Sequence, residues 1–581
     1  MVKFLKNHWL LGCILFFIAG LALILRLIGI DKPGGLWHDE IDTYNIASNT
    51  SIFNLINASL PRPLYYIFLH YWMVFFGDAD LTLRFLSVTF GVISVPVMYF
   101  AGREIEKYFN KEKLSGVSSV GTAAALLISV NSFLIYYSQE VRQYSFLALI
   151  SALSAWFTLK IINKPNKLNY FLFFIINAAF LATHFISVLI VIPEIIILCI
   201  YLFLNNKEKL FSFLKNLAVF SIPCAIVSFL LIQIFINGTV KTDWPVLSYS
   251  GIHYFDPQVI FVLLQNYFSP VITGIYNNPD HYLLKVLSRL NLNVITYICI
   301  PIIISIWFII KAVWNDRKRL NPVYALLFPP VCFLVIVFTL SLLGTYVIIS
   351  RYTLICVPFF MLVIAYGITS FKNRVISRSV FSFLIAMSLL YILFSPQSAP
   401  KWDRPDKQKS IASLFEKLPL KETDMVIFPR LPYTIDKYNK SEFKRYTLAN
   451  EFLPKYNIFS LIGRESAKII SIDNSSEMLR SYIGMDGYPP EFEEYVKEKF
   501  FSKLHDSDYF IVTHNKDICY YDSSTLKALA RSEFYKKQPL QFMLYSKITI
   551  DLLKVSQKHL VLKEVRKKAP WTILIFQKKG K

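Results

Sequence analysis

The stretch DKPGGLWHDEIDTYNIAS, residues 31–48, gathers Asp31, His38, Asp39, Glu40 and Asp42 beside Trp37 and Tyr44. Adjacent carboxylates can supply a general base, because burial and like-charge repulsion raise the pKa of one member toward neutrality. Read alone, an acidic dipeptide is more often part of a solvated loop. The cations need an account as well. Arg84 lies near the end of an apolar segment, where an unpaired charge is costly and either finds an anionic partner or snorkels to a headgroup. Arg351, in SRYT, has the same kind of location. Glu140 and Arg142, in YYSQEVRQY, sit between two apolar runs and can pair with each other at little gain in energy. His184 lies between two further runs and reads first as a satisfied interfacial histidine, second as a phosphate ligand. Glu194, after Pro193, falls inside an apolar run and reads as a hydrogen-bonded residue at a kink, with proton coupling as the second reading.

The elements that must position these residues are membrane helices. Of 581 residues 55% are hydrophobic, 16% aromatic and only 17% charged, with a mean hydropathy of +0.45. A soluble surface needs about a quarter of its residues charged, so an ordinary soluble enzyme, a disordered chain and a coiled coil are all excluded. Segments near 20 apolar residues are long enough to cross a bilayer. Eleven appear, at approximately 9–30, 81–101, 116–137, 143–162, 168–183, 185–204, 216–236, 292–312, 323–349, 352–371 and 379–395. The first follows Lys3 and Lys6 but ends LALILRLIGI with no small-residue cleavage pattern, so a retained helix is expected in place of a signal peptide.

With the N-terminus cytoplasmic, the loops on its side carry 19 Lys and Arg and the opposite loops carry 8. That bias satisfies the positive-inside rule and, with an odd number of spans, puts the C-terminal third outside the cytoplasm. It also accounts for the net charge of +22 without a nucleic-acid partner. Residues 400–581 hold 33 basic and 23 acidic residues and are composed like a soluble domain. Helix-like DKQKSIASLFEKL and PPEFEEYVKEKFFSKL alternate with β-like DMVIFP, DYFIVT and WTILIFQ, which predicts a small α/β domain. The expected organisation is a polytopic α-helical membrane domain, 1–399, followed by an extracytoplasmic α/β domain, 400–581. There is no nucleotide-binding glycine pattern, no P-loop and no solenoid repeat. None of the seven cysteines forms a CxxC pair, so neither a disulfide framework nor a zinc site is supported. Residues 61–77, PRPLYYIFLHYWMVFFG, are aromatic, about a turn too short to span and bounded by Pro61, Pro63 and Gly77, which predicts a helix lying in the interface.

Taken together, the acidic pair after the first helix, PLYY, LRFLSVTFGVISVPVMYFAGRE, YYSQEVRQYSFLALISALSAW and SRYTLICVPFF resemble the GT-C fold glycosyltransferases that use polyprenyl-phosphate sugars. The resemblance covers roughly residues 9–400. It is greatest to the branch of protein O-mannosyltransferases, lipid A aminoarabinose transferases and bacterial RgtA/B/C/D-like proteins. It implies that Asp39 and Glu40 are the catalytic acidic pair, Asp39 as base and Glu40 as its partner. It implies that Arg84, and second to it Arg351, binds the donor phosphate. His38, Arg62, Tyr65, Glu140, Arg142 and His184 stand as further candidate substrate contacts. Two departures from the family pattern, Arg62 in place of a common proline and the third carboxylate Asp42, bear on acceptor choice and on whether a divalent metal ion takes part.

The chemistry agrees with that resemblance. A sugar on polyprenyl phosphate brings its own leaving group, so a cation for the phosphate and a base for the acceptor hydroxyl or amine suffice, and in-line attack inverts the anomeric centre. The expected activity is sugar transfer to a lipid, glycan or protein acceptor on the outer face of a membrane, most simply a bacterial plasma membrane. A transporter or flippase of lipid-linked sugars is the main alternative. Transporters typically carry repeated halves and polar groups at mid-depth, and here the polar residues gather toward one face. A third reading, a noncatalytic anchor for the C-terminal domain, requires none of Asp39, Glu40 and Arg84.

Overall fold

The computed structural model describes residues 2–30, 35–49, 51–59, 62–109, 117–219, 258–269, 295–315, 320–342, 350–371, 373–394, 414–415, 418, 420–428, 444–447, 488, 490–505, 508–515, 540–568 and 571–578. The chain divides into two compact units. The first comprises Met1–Asp31, Thr43–Val240 and His253–Trp402, and the second Lys32–Asp42, Lys241–Ile252 and Asp403–Lys581.

The first unit is helical: α1 (Val2–Leu27), the second half of α2 (His38–Ala47), α3 (Ile52–Ser59), α4 (Pro63–Phe76), α5 (Asp80–Phe109), α6 (Ser119–Val130), α7 (Ser132–Ser138), α8 (Tyr144–Asn163), α9 (Lys167–Thr183) and α10 (Val188–Asn205), followed by Gln258–Phe268, Ile300–Asn315, Pro322–Leu342, Val357–Thr369 and Arg374–Phe394. Among the described residues eight helices are long and apolar enough to span, or nine if α6 and α7 make one bent span. Of the other two expected spans, α9 has 17 residues. The one at 216–236 starts on a helical stretch, 207–219, and runs beyond the described residues. Leucine, isoleucine and phenylalanine all round these helices leave large apolar side chains such as Phe16, Phe17, Ile303 and Phe394 exposed, a surface suited to lipid.

The segment expected at 116–137 as one straight span is instead bent by 57° between α6 and α7. Asn131 supplies the break. With φ −68° and ψ 111° it ends α6, and its side chain accepts the Leu134 amide to start α7. The carbonyls that the bend releases are taken by Arg26, which is fully buried in the last turn of α1. Its Nη1 donates to the Ser129 carbonyl at 3.2 Å, Nη2 to the Ile128 carbonyl at 3.3 Å, and Nε to Ser138 Oγ at 3.2 Å. Gly91 of α5 makes the room, since a Cβ there would lie 2.5 Å from both Arg26 Nε and Ser138 Oγ. Small residues also bring α5 and α6 together: a Cβ on Gly102 would stand 2.8 Å from Gly121 Cα.

The segment expected at the interface is a helix with the ends its sequence predicts. Pro63 occupies the first turn of α4 and Gly77, at φ 85°, ends it. Its 14 residues reach about 21 Å at 1.5 Å per residue, short of a bilayer's hydrocarbon core. Tyr65, Tyr66 and Leu69 are buried, and Val74, Phe75 and Phe76 are exposed.

The second unit holds a five-stranded sheet in the order β2-β1-β3-β5-β4. The strands are β1 (Met425–Phe428), β2 (Lys444–Thr447), β3 (Phe510–Asn515), β4 (Leu560–Lys568) and β5 (Trp571–Lys578). β1 pairs in parallel with β2 and β3, while β5 runs antiparallel to β3 and β4. Successive side chains of β3 face opposite ways. Ile511 packs with Leu414, Phe415, Val426, Ile573 and Ile575, whereas Phe510 meets Phe500 and Phe501 beyond the helix Pro490–Lys499. Both faces are covered, as parallel strands require. The three β-like runs seen in the sequence are β1, β3 and β5.

Candidate functional site

The acidic residues lie on a helix, and the loop expected from the sequence is corrected accordingly. Trp37 precedes α2, and Glu40, three residues on, accepts the Trp37 amide on Oε2 at 3.1 Å. This is the glutamate half of a capping box, which satisfies an amide that the helix cannot use. The helix continues because the Glu40 and Ile41 amides both donate to the Trp37 carbonyl. Glu40 is buried with one carboxylate oxygen engaged, while Asp39 beside it is half-buried, in the first turn where the helix dipole favours a negative charge. Asp42 is half-buried a turn later. Asp31 and the His38 side chain lie outside the described residues.

Further along α2 the contacts belong to the first unit. Thr43 Oγ1 accepts Arg142 Nη1 at 2.9 Å, and the Tyr44 hydroxyl donates to Asp78 Oδ2 at 2.9 Å. Burial, with the Asp78 and Asp80 carboxylates, pushes the Tyr44 hydroxyl up to about 12 and keeps it a donor. His70 Nδ1 donates to the Ala47 carbonyl at 2.8 Å, joining α4 to the end of α2.

Arg84 is buried on α5 and its Nη1 donates to the Ile30 carbonyl at 2.9 Å. Gln139 Nε2 donates to the carbonyls of Arg26 at 2.9 Å and Ile28 at 2.7 Å. Together they cap the end of α1, from which the chain runs on to the acidic turn. One turn beyond Arg84, Ser87 Oγ donates to the Arg142 carbonyl at 3.4 Å and stands 3.2 Å from the Tyr65 hydroxyl. Tyr65 is thereby fixed on the helix packing of the site.

A second cation cluster surrounds His184. The hairpin between α7 and α8 carries Glu140 and Arg142, both buried, and leads into Tyr144. The Arg142 and Arg351 guanidinium groups lie 5.9 and 5.8 Å from the centre of the Tyr144 ring, and Arg351 lies 5.8 Å from that of Tyr352. Tyr352 in turn meets His184 at 4.9 Å. Burial, then the positive charges of Arg62, Arg142 and Arg351, hold the His184 imidazole down at about 3, so it is neutral. Glu140 and Arg351 both act on Tyr137 electrostatically. The structure thus brings together Arg62, Arg142, Arg351, His184 and, through Tyr137, Glu140. The positive charges of Arg62, Arg142 and Arg351 all act on this ring, a field that favours an anion. The sequence reading of His184 as fully satisfied is half right: Nδ1 accepts the Ile186 amide at 3.2 Å, but Nε2 is buried without a partner among the described residues.

Gln143 went unnoticed in the sequence. It is fully buried beside Arg142, with neither amide atom partnered among the described residues. Its only signal was its position in a charged hairpin. Glu194 lies deeper, where Ser154 Oγ at 2.5 Å and Thr158 Oγ1 at 3.0 Å meet its carboxyl. Among the described residues no three His, Cys, Asp or Glu side chains form a group able to hold a metal ion.

No family model matches the chain, and no curated protein matches it in sequence. Among solved structures, it is similar to ArnT from Cupriavidus metallidurans in the apo state, with a TM-score of 0.51 and 10% identity over 96% of this chain and 97% of that one. The same ArnT bound to undecaprenyl phosphate matches with a TM-score of 0.49 and 10% identity, over 96% and 97%. The Archaeoglobus fulgidus oligosaccharyltransferase in the apo form matches with a TM-score of 0.47 and 13% identity, covering 91% of this chain and 73% of that one. The protein has the GT-C fold, a polytopic helical membrane domain with a small α/β domain.

Proposed function

We propose that the protein is an integral-membrane glycosyltransferase. It moves a sugar from a polyprenyl-phosphate carrier to a lipid, glycan or protein acceptor at the outer face of a bacterial plasma membrane, with its C-terminal domain on that side. The observation that carries this reading is the gathering of Arg62, Arg142 and Arg351 around a neutral imidazole on a GT-C framework. Such a cluster suits a phosphate that gains charge as it leaves.

In this mechanism Asp39 takes the proton of the acceptor hydroxyl or amine. The acceptor atom attacks the anomeric carbon, the bond from that carbon to the phosphate oxygen breaks, and the phosphate departs with the electron pair. Arg351, with Arg142 and Arg62, receives the phosphate. Glu40 keeps Asp39 in place by capping α2, whose next turn holds Arg142 through Thr43. Arg84 acts mainly as a positioning residue, since a hydrogen bond fixes it to the end of α1.

The test is transfer of sugar from a labelled polyprenyl-phosphate donor in membranes containing the wild type, Asp39→Asn, Glu40→Gln, Arg84→Ala or Arg351→Ala. Loss of the base or of the phosphate cation should slow transfer on the order of a hundredfold or more. Undiminished transfer in the Asp39 and Arg351 variants would exclude the mechanism. A flippase would move the lipid-linked sugar across vesicles without transferring it.

A further inference from the structure

His184 stands between α9 and the short turn Phe185–Ser187 that opens α10, and it is 0% exposed. Nδ1 accepts a backbone N–H, so it carries no proton, and a neutral imidazole must then carry its proton on Nε2. The ring is therefore fixed in one tautomer by the chain itself. The donor that this leaves, Nε2–H, is buried and has no partner among the described residues, which is rare in native structures and leaves that group's desolvation uncompensated. A neutral donor in the field of Arg62, Arg142 and Arg351, with Arg351 sharing the Tyr352 ring, finds its complement in an anionic oxygen.

From this geometry we infer that His184 is a substrate-binding residue whose Nε2–H donates to an oxygen of the phosphate held by Arg142 and Arg351. The inference rests on the function proposed above and adds a residue to it that acts without charge. Arginines attract any anion by charge alone. A single fixed N–H adds direction, selecting the orientation in which one phosphate oxygen faces the histidine. The imidazole is no base here, since its accepting nitrogen is already occupied by Ile186.

Two substitutions separate the ends of the ring. His184→Asn keeps an acceptor where Nδ1 was, able to cap the Ile186 amide as an Asx turn does, but loses the far donor. His184→Gln keeps an N–H near the Nε2 position and loses the cap. Binding of undecaprenyl phosphate to the purified full chain in nanodiscs, followed by intrinsic fluorescence, should weaken on the order of ten- to a hundredfold in His184→Asn at an unchanged melting temperature. His184→Gln should bind within about threefold of wild type, the size of effect expected when a hydrogen bond is kept.

The inference fails if His184→Asn binds as tightly as wild type, as a purely structural or water-bridged histidine would allow. It also fails if Gln gives no recovery over Asn. Inorganic phosphate, titrated alone, separates it from the proposed function. Phosphate binding that is lost in His184→Asn, with no binding of undecaprenyl phosphate to wild type, upholds the histidine and removes the lipid donor. Binding of neither to wild type overturns both.

Discussion

Asp39 and Glu40 differ in neighbours more than in chemistry, and that difference fixes what each substitution should do. Glu40→Gln retains an oxygen for the Trp37 amide, so α2 should start where it does now and the loss of transfer should be modest. Glu40→Ala removes the cap, which costs about 1 kcal/mol, and frees the turn that carries Asp39. Transfer by this variant should fall further than by the glutamine one, in the membrane assay already described. Arg26 presents the opposite case, since it stands outside the proposed chemistry and is held entirely by structure. Arg26→Ala leaves the Ile128 and Ser129 carbonyls without their donor, at about 1–3 kcal/mol for each. Gly91→Ala should destabilise by displacing the same guanidinium. Both should lower the melting temperature in detergent, and a Gly91→Ala protein that melts like wild type would contradict the packing around Arg26.

Helices and strands were legible where their signal was local and strong. The period of β1, β3 and β5, the proline and glycine bounding α4, and most of the long apolar runs stand out in the sequence. α2 did not, because HDEIDTYNIA is polar and its capping depends on Glu40 reaching back to Trp37. The bend at Asn131 was hidden for a related reason: an asparagine within an apolar run becomes a helix break only once Arg26, far away in sequence, takes the carbonyls it frees. β4 was missed because LVLKEVRKK is charged, as suits a strand at the edge of a sheet. In the second unit the Glu493 carboxylate joins two helices. It accepts from Lys558 at 2.9 Å and meets His559 at 2.5 Å, both at the end of Leu540–His559, with Lys497 and Tyr488 adding to the cluster. These partners hold its carboxyl down at about 2, well below the usual carboxylate range. As pH falls the unfolded chain takes up this proton first, so the contribution is complete above about pH 4.5 and disappears toward pH 2. Glu493→Gln should therefore flatten the acid limb of this unit's stability, measured by circular dichroism melts of the full chain between pH 5 and pH 3.

At the level of the whole chain, the acidic turn and the C-terminal domain share one compact unit, since Lys32–Asp42 falls with Asp403–Lys581. Ending the chain at Trp402 should leave the spanning helices folded yet lower sugar transfer at least tenfold, because the turn carrying Asp39 loses its own unit. Full transfer by that truncated chain would show the C-terminal domain to be dispensable for chemistry. The acidic pair and the outlying arginines stand out in the sequence as candidate residues. Their arrangement does not, because Arg142, His184 and Arg351 are distant in sequence and only the helix packing brings them to Tyr144 and Tyr352. The same long-range logic governs how the protein is made. The first helix leaves the ribosome with Arg26 in its last turn, and a lone helix with arginine in lipid is penalised by about 2.5–3.5 kcal/mol at mid-bilayer. Its carbonyl partners are synthesised about a hundred residues later. Until they arrive, the guanidinium gains most by staying near headgroups, so α1 must enter the bilayer before the α6–α7 bend can supply the partners of its arginine.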